Sequence, residues 1–378
     1  MPAELPAATP AAIAEAITLA VPVILGLQEG EARAEWPYEG VYRVRGQIPI
    51  GYRVGGTGIA AVALMRAPGF ADDAARRDAV GRAARFVCAS TAHPLMSHET
   101  YAGGYDVRGW GYTYGLWFLL EAQAAGVLPD DLAQPARDAT AFYLRAIAQT
   151  EIPGVGGWSY SRAPGRDRPG PASPFMTAPT LQVLFEARRR GHEVDAAIIE
   201  RGLAVLERGR TGSGAVSYAV GPERPGRDLT PGAVGRMLAT ECTLFLAGRS
   251  SQATVRGALD AFLTHWGWLE ARRAKPGTHE GPYAIAPYYF FYAHYYAAQA
   301  IELLPEPERA EYRRRLAQLI LAVRAEDGSF NDRVFPRTAG YGTAMALMSL
   351  AMQDAPAPAR WEALAPDRPD TSQPAPTE

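Results

Sequence analysis

Two short stretches of the chain place a histidine directly beside a carboxylate, His279 with Glu280 in THEGPY and His98 with Glu99 in SHETY. An imidazole next to a carboxylate can move protons near neutral pH. Neighbours on a loop need not face the same way, so a solvated surface is the stronger reading of both pairs. A third set, Asp332, Arg333 and Arg337 in NDRVFPR, could pair internally or grip an anion, and internal pairing is favoured. Beyond His279 the chain turns almost wholly aromatic from Tyr288 to Tyr296 around His294. Tyrosines combine apolar surface with a hydroxyl, and such a run can wall a pocket for a flat, hydrophobic or sugar-like ligand. Core packing accounts for the same run equally well.

These residues need elements to hold them. The stretch Pro287 to Leu304 has no internal Pro or Gly and does not alternate as a half-buried strand does, so it reads as a helix. Tyr288, Phe291, Tyr292 and Tyr295 form one stripe at helical spacing, while Tyr289, Tyr296, Ala300 and Leu303 form another. A helix apolar on nearly every side must be enclosed by protein. Eleven further helical segments are predicted: Ala11 to Leu27, Thr57 to Arg66, Asp73 to Ala89, Tyr112 to Ala125, Gln134 to Gln149, Phe175 to Arg190, Asp195 to Arg208, Ala233 to Ala247, Gln252 to Trp266, Glu306 to Ala325 and Tyr341 to Met352. Gly and Pro cluster between them, where punctuation belongs.

The connectors repeat a glycine-plus-aromatic pattern: AGGYDVRGWGY, GVGGWSYS, GSGAVSYAV and EDGSFND. Each leads into a helix rich in small residues, such as GRMLATECTLFLAG, whereas segments such as EPERAEYRRRLAQLILAVRAED are highly charged. A repeating helical hairpin follows, with small-residue helices inside and charged helices outside. Six hairpins can close into a ring. The expected fold is therefore all-α, an α/α toroid of twelve helices over residues 1–353, followed by a disordered Pro/Ala-rich tail at 354–378.

Composition sets limits on partners. Lys plus Arg is 38 against 40 Asp plus Glu, a net charge of −2, so no general attraction to nucleic acid is expected. Two cysteines, Cys88 and Cys242, allow at most one bridge. Ala11 to Leu27 is interrupted by Glu15 and preceded by no basic residue, so it reads as a first helix rather than a leader or membrane span. A cytoplasmic location is preferred, although a leader removed upstream would leave the same residues. YRVGGTG lacks the Lys and Ser/Thr of a phosphate loop, and the chain has no HExxH or GxSxG. No cofactor is expected.

At GVGGWSY, DGSFND and the aromatic helix the chain resembles the prenyltransferase and squalene cyclase repeat family, whose fold is an α/α toroid. The resemblance covers most of Ala11 to Met352, although the Gln-to-Trp repeat motif of the cyclases is degenerate here. It implies an isoprenoid-like ligand in a central cavity. The chain lacks the DxDD-type aspartates that cyclases of that kind use as acid, since Asp72–Asp73 and Asp130–Asp131 read as caps or surface. The zinc site of the related protein prenyltransferases would need Cys242 and His294, with Glu241 replacing an aspartate where Thr240 stands. No metal is expected.

Two classes of function stay open. One uses the cavity: Trp110, Tyr112, Tyr288, Tyr292, Tyr295 and Tyr341 would line it, with Glu241, His294, His279 and Glu280 as candidate catalytic groups. Its ligand would be a small hydrophobic molecule or a saccharide, the latter making the protein a carbohydrate-active toroid enzyme. The other is a noncatalytic scaffold for a protein partner. Of the aromatic helix, the tyrosine stripe rather than His294 is expected to face inward.

Overall fold

The computed structural model describes residues 5–100, 106–160, 170–221 and 229–362. Among the described residues there are twelve α-helices and no extended strands, only isolated bridges. In chain order they are α1 (Pro10–Gly26), α2 (Ile50–Arg66), α3 (Ala74–Ala89), α4 (Arg108–Ala124), α5 (Ala133–Thr150), α6 (Pro174–Arg189), α7 (Ala196–Gly209), α8 (Thr230–Leu246), α9 (Gln252–Glu270), α10 (Phe290–Leu303), α11 (Glu306–Leu321) and α12 (Thr338–Leu350). The even-numbered helices pack in sequence, α2 on α4, α6, α8, α10 and α12, and α12 returns to α2. That closes an inner ring. The odd-numbered helices lie outside it, giving the α/α toroid of six hairpins that the repeating connectors predict.

Inner and outer helices differ for physical reasons. In α5 the buried residues Ala136, Ala139, Thr140, Tyr143, Ala146 and Ile147 recur at spacings of three and four, leaving the rest to solvent. In α2 nearly every residue from Ile50 to Leu64 is buried. Four of the outer helices start on side-chain caps, as where Thr9 Oγ1 accepts from Ala12 N (3.1 Å) and Ser251 Oγ from Thr254 N (3.1 Å). No helix of the described residues is long and apolar enough to cross a membrane.

Sequence reading starts α2 at Thr57, whereas the helix begins at Ile50. The glycines of YRVGGTG look like a loop but serve a close crossing of α2 and α4. A Cβ on Gly51 would lie 2.1 Å from the Val107 carbonyl oxygen, and one on Gly58 2.3 Å from that of Tyr114. Backbones that touch leave no room for side chains.

The connectors from outer to inner helix, such as 28–49 and 271–289, are long and gather at one end of the ring, while the returns such as 304–305 are short. Three of the long connectors are pinned by an aromatic residue in the same way. Thr57, Thr177 and Thr343 on inner helices accept the backbone N–H of Trp36 (2.9 Å), Trp158 (3.0 Å) and Phe330 (3.0 Å). The indoles of Trp36 and Trp158 in turn donate to Ile24 O (2.6 Å) and Ile147 O (2.8 Å) in the last turns of α1 and α5. One hydroxyl and one indole thus tie three segments together.

Residues 354–362, expected to be free tail, lie across the short-loop end. Trp361 is buried, donates its backbone N–H to Leu246 O (3.0 Å) and its indole N–H to Glu200 Oε1 (3.0 Å), and stacks on Phe185. Composition alone missed this because one large ring outweighs a run of small residues. The rest of the tail from 363 lies outside the described residues.

Thr177→Val keeps the shape of the clamp but leaves the Trp158 N–H unpaired, at a cost of about 1–3 kcal/mol. Denaturant unfolding of the variant beside wild type should show this loss, and an unchanged midpoint would mean that the clamp contributes nothing.

Candidate functional site

All six inner helices run in one direction, so their N-termini converge on the long-loop end. There the connectors enclose a pocket walled by Tyr38, Tyr42, Tyr52, Trp110, Tyr160, Phe175, Tyr218, Tyr288, Thr278, Arg333 and Tyr341, with Gly40 and Val41 at its mouth. The rings brace one another edge to face: Tyr38 stands 5.2 Å from Tyr52 and 4.9 Å from Tyr341, and Trp110 is 5.5 Å from Tyr52. On the opposite wall the Tyr288 hydroxyl meets those of Tyr218 (3.3 Å) and Tyr160 (3.5 Å). The free space is about 30 Å³, room for about two waters.

The polar groups in and behind this wall are unusual: Tyr38 and Arg333 line the pocket, and Asp332 and the Nε of Arg273 lie buried behind it. Five of the ten buried side-chain polar atoms without a hydrogen-bond partner among the described residues belong to Tyr38, Asp332, Arg333 and Arg273. Asp332 is fully buried and neither carboxyl oxygen has a partner. The expected internal pairing of NDRVFPR does not form: Arg337 reaches out to Glu29 (2.8 Å) and Glu39 (3.5 Å), and no ion pair joins Asp332 to Arg333. Arg333 instead donates to Pro276 O (2.9 Å) and leaves its Nε unpartnered. Burial pushes the Asp332 carboxyl up to about 7, with the Arg333 and Arg273 charges opposing the shift. Burial, and then Asp332, also hold the Tyr38 hydroxyl well above the usual tyrosine range.

A larger concavity of about 990 Å³ opens beside this pocket between the 28–49 connector, His93 and Arg337. Most of its charges are paired within the rim, Arg53 with Glu35 (2.5 Å) and Arg43 with Glu39 (2.7 Å), and it holds none of the unpartnered buried atoms. Volume without unmet polar groups is a solvated groove. The tyrosine pocket is the better candidate.

The residues singled out from sequence scatter. Trp110, Tyr288 and Tyr341 line the pocket. Tyr292 does not; it is fully buried beneath, its hydroxyl donating to Phe175 O (3.1 Å), and it plugs the axis of the ring. Tyr295 lies one turn further and faces a second pocket at the short-loop end, with Arg66, Trp117 and Gln299. Helical rise carries one stripe from end to end of the ring, so its members cannot share a pocket. Tyr112 turns outward, its hydroxyl on Met96 O (2.7 Å) and its ring against Tyr143.

Of the candidate catalytic groups, Glu241 is bound by Arg210 (2.8 and 2.5 Å) and Ser250 (2.7 Å), away from the pocket. His294 is fully buried toward α9, accepting from the Trp266 indole (2.8 Å) with its Nδ1 2.7 Å from Phe290 O, and burial lowers it to about 4. His279 lies exposed near the mouth, edge-on to Tyr218 at 4.9 Å, and Glu280 accepts from Gly277 N (3.2 Å) within its own turn. Cys242 is fully buried with its Sγ 3.8 Å from Tyr296 O, and burial raises its thiol. Cys242, Glu241 and His294 therefore do not converge, and no group of three metal-binding side chains occurs among the described residues. Cys88 and Cys242 are both free thiols.

Sequence reasoning named Asp332 and Arg333 but dismissed them, and it passed over Tyr38, Tyr52, Tyr160 and Tyr218. The connector motifs carried the signal: Tyr160 and Tyr218 occupy matching places in GVGGWSY and GSGAVSY.

The chain matches no protein-family model and no curated protein. It is similar in structure to the unsaturated glucuronyl hydrolase of Streptococcus agalactiae, with a TM-score of 0.58 at 10% identity over 93% of this chain and 94% of that one. The GH76A α-1,6-mannanase of Salegentibacter sp. HEL1_6 gives 0.56 at 11% identity, covering 90% and 99%. A D-mannose isomerase gives 0.57 at 11% identity, covering 91% and 98%. Identity this low establishes the α/α toroid and nothing finer.

A raised carboxyl makes the fold depend on pH in a definite direction. Folding raises Asp332 from 3.8 to about 7, so its contribution is complete below about 3.8 and is lost as pH rises through 7. Asp332→Asn should therefore melt a few degrees above wild type at pH 8, with the gap closing toward pH 4. A gap that is constant with pH would show that Asp332 is not held protonated.

Proposed function

We propose that the tyrosine-walled pocket binds a saccharide and that the protein is a carbohydrate-active member of the α/α toroids. The observation that carries this reading is the union of closely set aromatic rings with unmet polar atoms on Tyr38 and Arg333 in the wall, backed by the buried Asp332 next to Arg333 in the chain. A sugar ring has C–H faces that stack on aromatic rings and hydroxyls that need donors and acceptors at fixed places. This pocket offers both kinds of contact. An isoprenoid, the ligand that the prenyltransferase and squalene cyclase resemblance implies, would cover the rings but leave the buried acid and guanidinium without partners, at a cost of about 1–3 kcal/mol for each group. The similar solved structures, whose names include a mannanase, a glucuronyl hydrolase and a mannose isomerase, support the saccharide over the isoprenoid. The pocket as it stands is too small for a sugar ring, so binding requires Gly40–Tyr42 to move off Tyr52.

A second reading rests on Asp332 alone. A carboxyl that titrates near 7 can donate a proton as a general acid at physiological pH. The pocket lining contains no Asp or Glu among the described residues, so the two flanking carboxylates of ordinary glycoside hydrolysis are not in place there. Acid-assisted ring opening or isomerisation needs only one such group, and Asp332, buried behind the lining beside Arg333, would have to be uncovered by the same movement that opens the pocket. Turnover of a bound sugar that disappears in Asp332→Asn while binding survives would establish this reading, and equal turnover in the variant would end it.

Titration of tryptophan emission with neutral and acidic oligosaccharides, and with a polyprenol, tests the binding reading. Tyr42→Ala should weaken saccharide affinity about tenfold through loss of a stacking face. Tyr292→Phe, beneath the pocket, should leave affinity unchanged and cost about 1–2 kcal/mol of stability by orphaning the Phe175 carbonyl. Binding of the polyprenol alone, or of nothing, would overturn the proposal.

A further inference from the structure

The pocket wall holds a buried cation that makes no ion pair with the described residues. Arg333 is 3% exposed and lines the wall, yet no carboxylate among the described residues lies within ion-pair distance of its guanidinium. Its Nε has no partner, and the guanidinium donates to a neutral carbonyl, Pro276 O, rather than to a carboxylate. Most arginines around it do have acids: Arg337 holds Glu29, Arg43 holds Glu39, Arg53 holds Glu35 and Arg273 lies 3.7 Å from Glu270. A buried, unpaired guanidinium is expensive unless an anion completes it. The six inner helices also aim their N-termini at this end, adding partial positive charge from the backbone.

We propose that the ligand is an acidic saccharide whose anionic group is held by Arg333, and that Asp332 takes up a proton as it binds. This rests on the saccharide reading of the same pocket. The guanidinium fork matches the two oxygens of a carboxylate or sulfate, which a neutral sugar does not supply. Asp332 must then be neutral, because an ionised carboxylate beside an incoming anion repels it. The groups that face Asp332 are Tyr38 from the 28–49 connector, Tyr341 on α12, Arg273 from the end of α9 and Arg333 on its own connector. None of them is an acid that titrates near neutrality. Burial raises the carboxyl to about 7, so an anion bound beside it drives it further toward the protonated form. Affinity for an acidic sugar therefore rises as pH falls through 7, and affinity for a neutral one does not.

Calorimetric titration of the full chain with uronic-acid, sulfated and neutral oligosaccharides of matched length, at pH 6 and pH 8 and in two buffers of different ionisation heat, tests each part. Either acidic series should bind at least ~10-fold more tightly than the neutral one, and comparison of the two identifies carboxylate or sulfate. Arg333→Gln should remove that advantage while Arg333→Lys keeps part of it, and melting curves show whether each variant is folded. Wild type should take up close to one proton on binding at pH 8, and Asp332→Asn none, with an affinity no longer dependent on pH. Neutral sugars binding as well as acidic ones, or an acidic preference untouched in Arg333→Gln, overturns the inference and leaves the saccharide reading intact. Failure of every saccharide to bind removes both.

Discussion

Six helices can stand side by side in a closed ring only if neighbouring backbones come close, and the contact of α2 with α4 sets the scale. Side chains are excluded at Gly51 and Gly58 because a Cβ there would overlap a carbonyl oxygen of the other segment. The same device recurs where Gly232 faces Tyr283 O and Gly342 faces Phe330 O. With the ring this tight, its axis is filled rather than hollow. Tyr292, Tyr296 and Phe175 pack across it, and Tyr292 closes onto Phe175 at 4.3 Å between ring centroids. The toroid therefore has two shallow ends instead of a tunnel, and the long connectors gathered at one end can build a site there.

A rigid frame permits local strain in charge as well as in shape. Asp332 and Arg333 sit on a connector anchored immediately before them, by Phe330 N–H on Thr343 and by the Arg273 guanidinium on Asn331 O at 3.1 Å. An unanchored loop would relax until the carboxylate and the guanidinium met each other or water. Here the frame prevents that, so burial raises the acid toward neutral pH and the cation makes no ion pair. The aromatic wall contributes by excluding water from both groups.

Legibility in the sequence followed the range of the interaction involved. Helix existence, the alternation of polar outer and small-residue inner helices, and the connector repeats all arise from local periodicity and local punctuation. They could be read directly, and where they misled, as in starting α2 at Thr57, the cause was glycine used for contact rather than for a turn. Trp361 shows the opposite case, a single ring whose importance depends on Phe185, which lies far away in the chain. The site was harder still. Tyr288 and Tyr341 were visible as aromatic residues of inner helices, but Tyr38, Tyr160 and Tyr218 come from connectors that only the ring brings together.

The amino-acid sequence by itself determined that this chain makes twelve helices in six hairpins and that its aromatic helix is enclosed, because 3.6-residue periodicity and the places of Gly and Pro are properties of short segments. Only the tertiary structure decided which aromatic face meets space and which is buried as a plug. It also decided that His294 belongs to Trp266 while Asp332 belongs to no partner. A side chain's partner and protonation state depend on what surrounds it in three dimensions, and residues more than two hundred positions apart, such as Tyr38 and Tyr341, supply those surroundings.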